Sequence, residues 1–212
     1  MKKKKYGNIL VRLLLWFYRT VYKPKVHYQD GAEEPLSAPP AIYIANHTSL
    51  NDAMFLVAAM GNDATILVAK DWYEKKQYNG IMKSYGCIPC DRYGLDTNWL
   101  RDGIRILKEG RSVLIFPEGK TRQDGQLNEF KSGFAMLAAM SGAPIISVGL
   151  SGCYHFGRAT HYVVDAPAQL DRSKGMQAEY LQAQCNEYQQ RIAGLRAIAL
   201  SKTPEKLRTF KR

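Results

Sequence analysis

The first cluster of residues that could do chemistry contains His47 and Asp52, which directly follow a short apolar run over residues 41–45. In one continuous helix, residues i and i+5 lie about 140° apart, so these two side chains would diverge. They meet if His47 lies in the turn before a helix and Asp52 lies in its first turn. Thr48 or Ser49 as N-cap gives that arrangement, because Ser49-x-x-Asp52 resembles a capping box.

A carboxylate beside an imidazole accepts a hydrogen bond from one ring nitrogen and thereby fixes the tautomer. The other nitrogen can then take a proton from a substrate hydroxyl, because imidazole titrates near neutral pH. The spacing therefore favours a catalytic pair, with His47 as the base and Asp52 as its partner. A structural alternative stays open, in which Asp52 only caps a helix and His47 is an ordinary residue at a strand end.

The second cluster is Phe116-Pro117-Glu118-Gly119-Lys120-Thr121-Arg122. Gly119 to Thr121 match the end of a Walker A loop, but that motif requires glycine at position 114, which is leucine. What remains is a glycine turn with exposed amides, flanked by Lys120, Arg122 and, further on, Lys131. Backbone N–H groups and cationic side chains suit a phosphate, so we predict a phosphate-binding loop. A polar surface loop is the alternative.

Both clusters need elements that bring them together, and the rest of the chain alternates between apolar runs and helical patterns. Strands are predicted over 41–45, 65–69, 112–116, 145–149 and 161–164, and helices over 51–60, 71–84, 96–108, 130–141 and 176–199. This alternation predicts one α/β domain with a mixed or largely parallel sheet flanked by helices. In such sheets ligand groups gather at strand ends, where both clusters lie.

Composition limits the classes of protein that this chain can be. Its 212 residues suit one domain, and a hydrophobic content of 46% is too high for a disordered chain. Four cysteines are too few for a disulfide scaffold and favour a reducing compartment. The 30 basic and 19 acidic residues give a net charge of +11, which suits nucleic acid, or anionic membranes and phosphate-bearing substrates.

The amino-terminal segment concentrates this basic charge. Arg12 and Arg19 interrupt its apolar stretch, so neither a spanning helix nor a signal peptide is predicted. A helical wheel places Arg12, Arg19 and Lys23 on one face and Leu10, Leu14, Phe17 and Val21 on the other. We predict that residues 1–28 form a basic amphipathic segment that associates with anionic membrane lipid, and that 29–40 form a linker. The alternative is a helix packed on the protein's own core.

Together, these patterns resemble the glycerophospholipid acyltransferase family, typified by 1-acylglycerol-3-phosphate O-acyltransferase. The motifs that carry the resemblance are, in chain order, His47-x4-Asp52, Gly86 to Arg92, Phe116-Pro117-Glu118-Gly119 and Ala143 to Ile146. Phe130-Lys131-Ser132-Gly133 also looks like a step of that family. The resemblance covers about residues 41–165 and identifies 41–212 as the acyltransferase domain.

The resemblance implies acyl transfer from acyl-CoA or acyl carrier protein to the glycerol hydroxyl of a lysophospholipid, foremost 1-acylglycerol-3-phosphate, which gives phosphatidic acid. His47 would deprotonate that hydroxyl and Asp52 would hold the imidazolium. The acyl thioester is a co-substrate, and neither a cofactor nor a metal is implied. The expected location is peripheral or monotopic on the cytoplasmic face of a membrane.

The resemblance also assigns the acceptor phosphate to basic side chains. Arg92, with Lys120 or Arg122, would grip that phosphate, while Glu118 would order the loop and the acceptor. The predicted substrate-binding residues are therefore Arg92, Glu118, Gly119, Lys120, Thr121 and Arg122. The family usually reads Glu-Gly-Thr-Arg-Ser where this chain has Glu-Gly-Lys-Thr-Arg, so the choice between Lys120 and Arg122 stays open.

Three alternatives remain. The acceptor could be another lysolipid, such as a lyso-aminolipid that lacks phosphate. The chain could instead be a non-catalytic basic protein that binds membranes; it has no recognisable RNA-binding motif, so we predict no nucleic-acid partner. Finally, Cys87-Ile88-Pro89-Cys90 matches a thioredoxin-type redox pair, although that chemistry requires the first cysteine at a helix N-terminus.

Overall fold

A computed structural model describes residues 9–32, 40–61, 64–91, 97–122, 124 and 126–208. The strands in these ranges are β1 (Lys25–Tyr28), β2 (Ile42–Ala45), β3 (Thr65–Ala69), β4 (Ile88–Cys90), β5 (Val113–Ile115), β6 (Ile145–Leu150) and β7 (His161–Val164). The α-helices are α1 (Ile9–Tyr22), α2 (Asp52–Met60), α3 (Lys70–Tyr73), α4 (Lys76–Tyr85), α5 (Asn98–Lys108), α6 (Gly133–Ser141) and α7 (Ala178–Ser201). Short 3₁₀ turns cover Arg172–Lys174 and Glu205–Leu207.

The strands form one sheet in the order β1-β7-β6-β2-β5-β3-β4. The five strands from β6 to β4 run parallel, whereas β7 pairs antiparallel with β6, and β1 runs parallel to β7. The predicted class, one α/β domain with a mixed, largely parallel sheet flanked by helices, is therefore confirmed. Because β6, β2 and β5 are neighbours with the same direction, their carboxyl ends lie side by side at one edge.

Helices cover both faces of this sheet, and β2 shows why. Ile42 and Ile44 pack in one core cluster with α5, α6 and α7, whereas Tyr43 and Ala45 pack in the other with α1, α2 and α4. All four side chains are buried, because successive residues of a strand point to opposite faces and each face meets a helix layer. A strand buried on both faces reads as a continuous apolar run, which is the pattern that predicted it.

The strands β1 and β4 are absent from the predicted elements, and two of the predicted helices have different bounds. β1 lies inside the predicted amino-terminal segment 1–28, so the end of that segment belongs to the sheet. β4 contains Pro89, which an edge strand tolerates because one side of it needs no ladder hydrogen bond. The helix predicted over 71–84 is divided between α3 and α4, and the helix predicted from 130 begins only at Gly133. Of the predicted linker 29–40, residues 33–39 lie outside the described residues.

The helix α1 packs on α2 and also exposes apolar side chains. Val11 is fully buried, and the rings of Tyr18 and Tyr22 meet Phe55 of α2 edge-on, with centroids 4.7 and 4.6 Å away. The exposed large side chains of α1 are Ile9, Leu13, Trp16 and Phe17. The helix thus has one apolar side on the core and another facing outward. No helix within the described part of the chain combines the length and the apolarity that a membrane crossing requires.

The packing of α7 on β6 requires a glycine at position 149. A Cβ built on Gly149 would lie 2.4 Å from the backbone nitrogen of Arg196 and the carbonyl carbon of Leu195. Backbone atoms cannot yield as a flexible side chain can, so α7 would have to move away from the sheet.

We therefore expect Gly149→Ala to lower the free energy of unfolding by about 3 kcal/mol, as overpacking does at the upper end of its range. Urea denaturation followed by circular dichroism measures this change. Gly194→Ala is the matched control, because Gly194 lies exposed in α7 with open space around its Cβ position. There alanine should raise stability by about 0.5–1 kcal/mol. Equal stability of the Gly149 variant and the unsubstituted protein would contradict the packing account.

Candidate active site

His47 and Asp52 meet at the carboxyl end of β2. The Nδ1 atom of His47 lies 2.9 Å from Oδ2 of Asp52, and the Asp52 side chain is fully buried while that of His47 is 17% exposed. The predicted turn-then-helix arrangement therefore brings the two groups together. With Nδ1 engaged, Nε2 is the nitrogen available for chemistry, and it has no partner among the described residues.

The turn before α2 holds the carboxylate in place. Oδ2 of Asp52 accepts the backbone N–H groups of Thr48 at 2.5 Å and Ser49 at 2.8 Å. These amides precede the positive end of α2, which also stabilises a negative charge. The N-cap is Asn51, not Thr48 or Ser49 as predicted, because Asp52 is itself the first residue of α2. Ser49 uses its hydroxyl to accept from the Asn51 N–H instead.

Tyr154 contributes to the same site from the loop after β6, although no sequence motif includes it. Its hydroxyl donates to Oδ1 of Asp52 at 2.5 Å, and the Thr48 hydroxyl contacts the same oxygen at 3.3 Å. Burial, with the nearby Asp52 charge, raises the pKa of Tyr154 well above its usual value, so the phenol stays protonated and donates. The contact spans 102 positions, and no local pattern signals it.

The neighbouring strands fix the position of His47. The ring of Phe116, just after β5, stacks on the imidazole at a centroid distance of 4.2 Å and an angle of 19°. On the other side, the Asn46 side chain accepts the Leu150 N–H at 2.7 Å and donates to the Leu150 carbonyl at 3.1 Å. These contacts join the ends of β5, β2 and β6.

The two polar clusters are joined through the backbone of His47. Its N–H donates to Oε1 of Glu118 at 2.7 Å, and its carbonyl accepts the Arg122 N–H at 2.9 Å. The other Glu118 oxygen accepts the Asn128 backbone and side-chain N–H groups at 2.7 and 2.9 Å. Burial raises the pKa of Glu118, and these donors act against that rise. The Glu118 side chain thus joins the loop to the backbone of residues 47 and 128, and it is not among the residues that line the cavity described below.

The basic residues of the second cluster differ in what they face. Lys120 is exposed and lines the cavity, together with Gly119 and Thr121. Arg122 does not line it. Its Nε donates to both carboxylate oxygens of Asp124 at 2.7 and 2.8 Å. This carboxylate raises the pKa of Arg122.

Two further basic residues bear on the predicted phosphate contact. Lys131 lines the cavity, and its Cε lies 3.4 Å from the position that a Cβ on Gly119 would occupy. Its backbone N–H donates to the Pro117 carbonyl at 2.9 Å, which holds residue 131 against the loop. Arg92, the other predicted contact, lies outside the described residues.

His47 opens onto a cavity of about 860 Å³. Its volume falls in the usual range of small-molecule sites. Apolar side chains form much of its wall, among them Leu14, Ile66, Val68, Met82, Tyr85, Leu100 and Phe134. The cavity thus places an imidazole and two lysines beside a large apolar volume.

The cysteine pair belongs to this wall. Cys87 and Cys90 line the cavity, on or next to β4, and not at a helix N-terminus. Burial raises the pKa of Cys87 to about 12, so its thiol stays protonated, whereas redox exchange requires a thiolate. The geometry therefore opposes the redox interpretation. Within the described ranges, no three or more His, Cys, Asp or Glu side chains are grouped so as to hold a metal ion.

The chain is similar in sequence to curated 1-acyl-sn-glycerol-3-phosphate acyltransferases. A 1-acyl-sn-glycerol-3-phosphate acyltransferase of Limnanthes douglasii is 32% identical over 155 residues, which are 70% of this chain and 52% of that protein. A chloroplastic enzyme of the same name from Brassica napus is 26% identical over 153 residues, which are 71% of this chain and 44% of that protein. The chain spans about half the length of the curated relatives that it matches.

The fold has a counterpart among solved structures. The crystal structure of PlsC, the 1-acyl-sn-glycerophosphate (LPA) acyltransferase of Thermotoga maritima, superposes with a TM-score of 0.63 at 22% identity. The match covers 89% of this chain and 80% of PlsC. The family model described as Acyltransferase matches residues 23–151, which include both polar clusters and more than half of the sequence. The chain therefore belongs to the Acyltransferase family.

Proposed function

We propose that the protein transfers a fatty acyl chain from an acyl thioester to the glycerol hydroxyl of lysophosphatidic acid, which gives phosphatidic acid. The observation that carries this proposal is the His47–Asp52 pair at a cavity that has both apolar walls and the lysines 120 and 131. The names of the curated relatives and of the solved structure support the same acceptor.

In the proposed reaction, His47 acts as a general base through Nε2. It takes the proton of the acceptor hydroxyl, whose oxygen attacks the thioester carbonyl carbon. When the carbon–sulfur bond breaks, the thiolate leaves and receives that proton from the imidazolium. Asp52 stabilises the imidazolium through Nδ1, as the carboxylate does in related acid–base pairs. The acceptor oxygen is itself the nucleophile, so no side chain needs to be acylated.

The cavity suits the two ends of such a substrate. Acyl chains gain free energy when they leave water for an apolar wall, at about 0.8 kcal/mol per buried CH₂ group. At the polar part, Lys120 and Lys131 supply positive charge close to His47, as a glycerol phosphate requires. Lys120 and Lys131 line the cavity and Arg122 does not, so we assign the phosphate to the two lysines.

The helix α1 supports association with a membrane surface. Its exposed Ile9, Leu13, Trp16 and Phe17 can enter the boundary between headgroups and acyl chains, while Arg12 and Arg19 can meet anionic headgroups. Leu14 and Tyr18 of the same helix line the cavity. A lipid acceptor could thus reach His47 from the bilayer without full exposure to water.

We expect His47→Ala to reduce acyl transfer to lysophosphatidic acid by roughly 10²–10⁴-fold, the usual contribution of general acid–base catalysis. Purified protein should be assayed with acyl-CoA and acyl carrier protein as donors. The acceptors should be lysophosphatidic acid, a second lysophospholipid and a lyso-aminolipid. His155→Ala is the matched control, since the ring of His155 contacts the Leu207 carbonyl at 2.8 Å. Transfer only to acceptors without phosphate would refute the proposed substrate. Vesicle binding without any transfer would favour the non-catalytic alternative.

The lysine assignment predicts different effects for two cations. Lys131→Met should raise the KM for lysophosphatidic acid by about tenfold, because a hydrogen bond to a charged group contributes roughly 1.5–3 kcal/mol. Arg122→Met should change that KM by less than about threefold, because its guanidinium already pairs with Asp124. Steady-state kinetics with varied acceptor measures both. A larger increase in KM for Arg122→Met than for Lys131→Met would instead assign the phosphate contact to Arg122.

The membrane assignment predicts weaker vesicle binding for Trp16→Ser. Loss of this exposed ring should raise the apparent Kd for vesicles rich in phosphatidylglycerol by about tenfold, as expected when one large apolar side chain no longer inserts. Met140→Ser is the control, because Met140 is 48% exposed on α6, at the opposite face of the sheet. Co-sedimentation measures both. Equal losses for the two variants would mean that α1 is not the contact.

A further inference from the structure

The Asp52 carboxylate receives one hydrogen bond from far along the chain. His47 and the amides of residues 48 and 49 all meet Oδ2, and they belong to the local turn. The other oxygen, Oδ1, faces Tyr154 at 2.5 Å, with the Thr48 hydroxyl more distant at 3.3 Å. Tyr154 is not among the residues that line the cavity, and its hydroxyl contacts the Asp52 carboxylate.

Ring packing holds the Tyr154 side chain with its hydroxyl directed at Asp52. Its ring stacks on Phe55 at a centroid distance of 4.0 Å and an angle of 16°, and Tyr18 and Tyr22 of α1 close around Phe55. Two residues earlier, Gly152 has φ of +71°, and a Cβ there would lie 2.7 Å from the Thr48 hydroxyl. The loop after β6 therefore packs directly against the turn that contains the acid–base pair.

A neutral donor on a carboxylate draws negative charge toward itself. An imidazolium on the other oxygen is then held less strongly, since its attraction depends on that charge. We propose that Tyr154 is a positioning residue, which fixes Oδ1 of Asp52 and limits how strongly Asp52 retains a proton on His47. This inference rests on the proposed function, in which His47 must be unprotonated to accept the hydroxyl proton. Without the Tyr154 hydroxyl, Asp52 would hold a proton on His47 more strongly.

Other titratable groups face this pair from the surrounding elements. Glu118 bonds the His47 N–H, and Tyr162 of β7 lies near Asp52. Among the described residues, further titratable side chains line the cavity beside His47, namely Tyr18, Tyr78, Tyr85, Cys87, Cys90, Asp91, Lys120 and Lys131. Tyr154→Phe leaves all of them in place, so a change in the titration of His47 would report the lost hydroxyl.

The test is Tyr154→Phe, which keeps the ring stacked on Phe55 and removes only the donor. The chain has four histidines, and loss of one imidazole signal in His47→Gln assigns that of His47. We expect the NMR titration midpoint of His47 to rise by about 0.5–1 pH unit. The acidic limb of the kcat/KM profile should move by the same amount, a loss of roughly three- to tenfold below that limb with an intact plateau at high pH. Tyr188→Phe, a buried tyrosine near Phe134 on the other sheet face, should shift neither.

A second variant should move the His47 titration midpoint in the opposite direction, and it keeps both the ring and the hydroxyl of residue 154. With 3-fluorotyrosine at position 154 the phenol is a stronger donor, so the His47 midpoint should fall. This variant decides the question if Tyr154→Phe does not fold. A midpoint in Tyr154→Phe that is unchanged or lower, or that moves as in Tyr188→Phe, overturns the inference. If the unsubstituted protein transfers no acyl group, the proposed function fails, whereas the NMR titration still tests Tyr154.

Discussion

A fully buried carboxylate is the constraint on which this structure depends. Removing the charge of Asp52 from water would be costly unless both oxygens met donors, and five hydrogen bonds from the described residues supply them. Three come from the turn after β2, one from the imidazole and one from the loop after β6. The neighbouring positions of β2 and β6 in the sheet are what make the last one possible. The hydrogen bonds that offset the desolvation of Asp52 thus also hold its carboxylate beside the imidazole of His47.

The local part of this arrangement could be predicted from sequence, because it depends on residues within one turn. The spacing of His47 and Asp52, followed by helix-forming residues, is enough to predict that the two side chains meet. Strands buried on both faces were equally visible as apolar runs, and those predicted over 65–69 and 161–164 coincide with β3 and β7. The short polar β1 and the proline-containing β4 form only through pairing with distant strands, so no local pattern predicts them. No local pattern predicts the role of Tyr154 either, because it meets Asp52 from 102 positions along the chain.

The loop from Phe116 to Arg122 shows where motif order alone is insufficient. Lys120 and Arg122 are equivalent candidates in the sequence, since both flank Thr121. The structure separates them, because Asp124 is close enough in the chain to pair with the guanidinium and draws it away from the cavity. A hydrogen bond from the Lys131 backbone N–H to the Pro117 carbonyl holds Lys131 against this loop. The two residues belong to separate segments, so their spacing in the sequence does not predict this contact. Lys131, from the Phe130-Lys131-Ser132-Gly133 step, thus lies beside the glycine turn at Gly119.

The helix α1 has two sides with different surroundings. Its inner side is part of the core, since Val11 is fully buried and Tyr18 lies against Phe55, while its outer side exposes Trp16. Phe55 in turn stacks on Tyr154, whose hydroxyl meets Asp52. The helix proposed to contact the membrane is therefore only three packed rings and one hydrogen bond from the acid–base pair. A force that displaced α1 would loosen the support of the carboxylate, so the proposed lipid contact and the proposed alignment of His47 would both depend on these aromatic contacts.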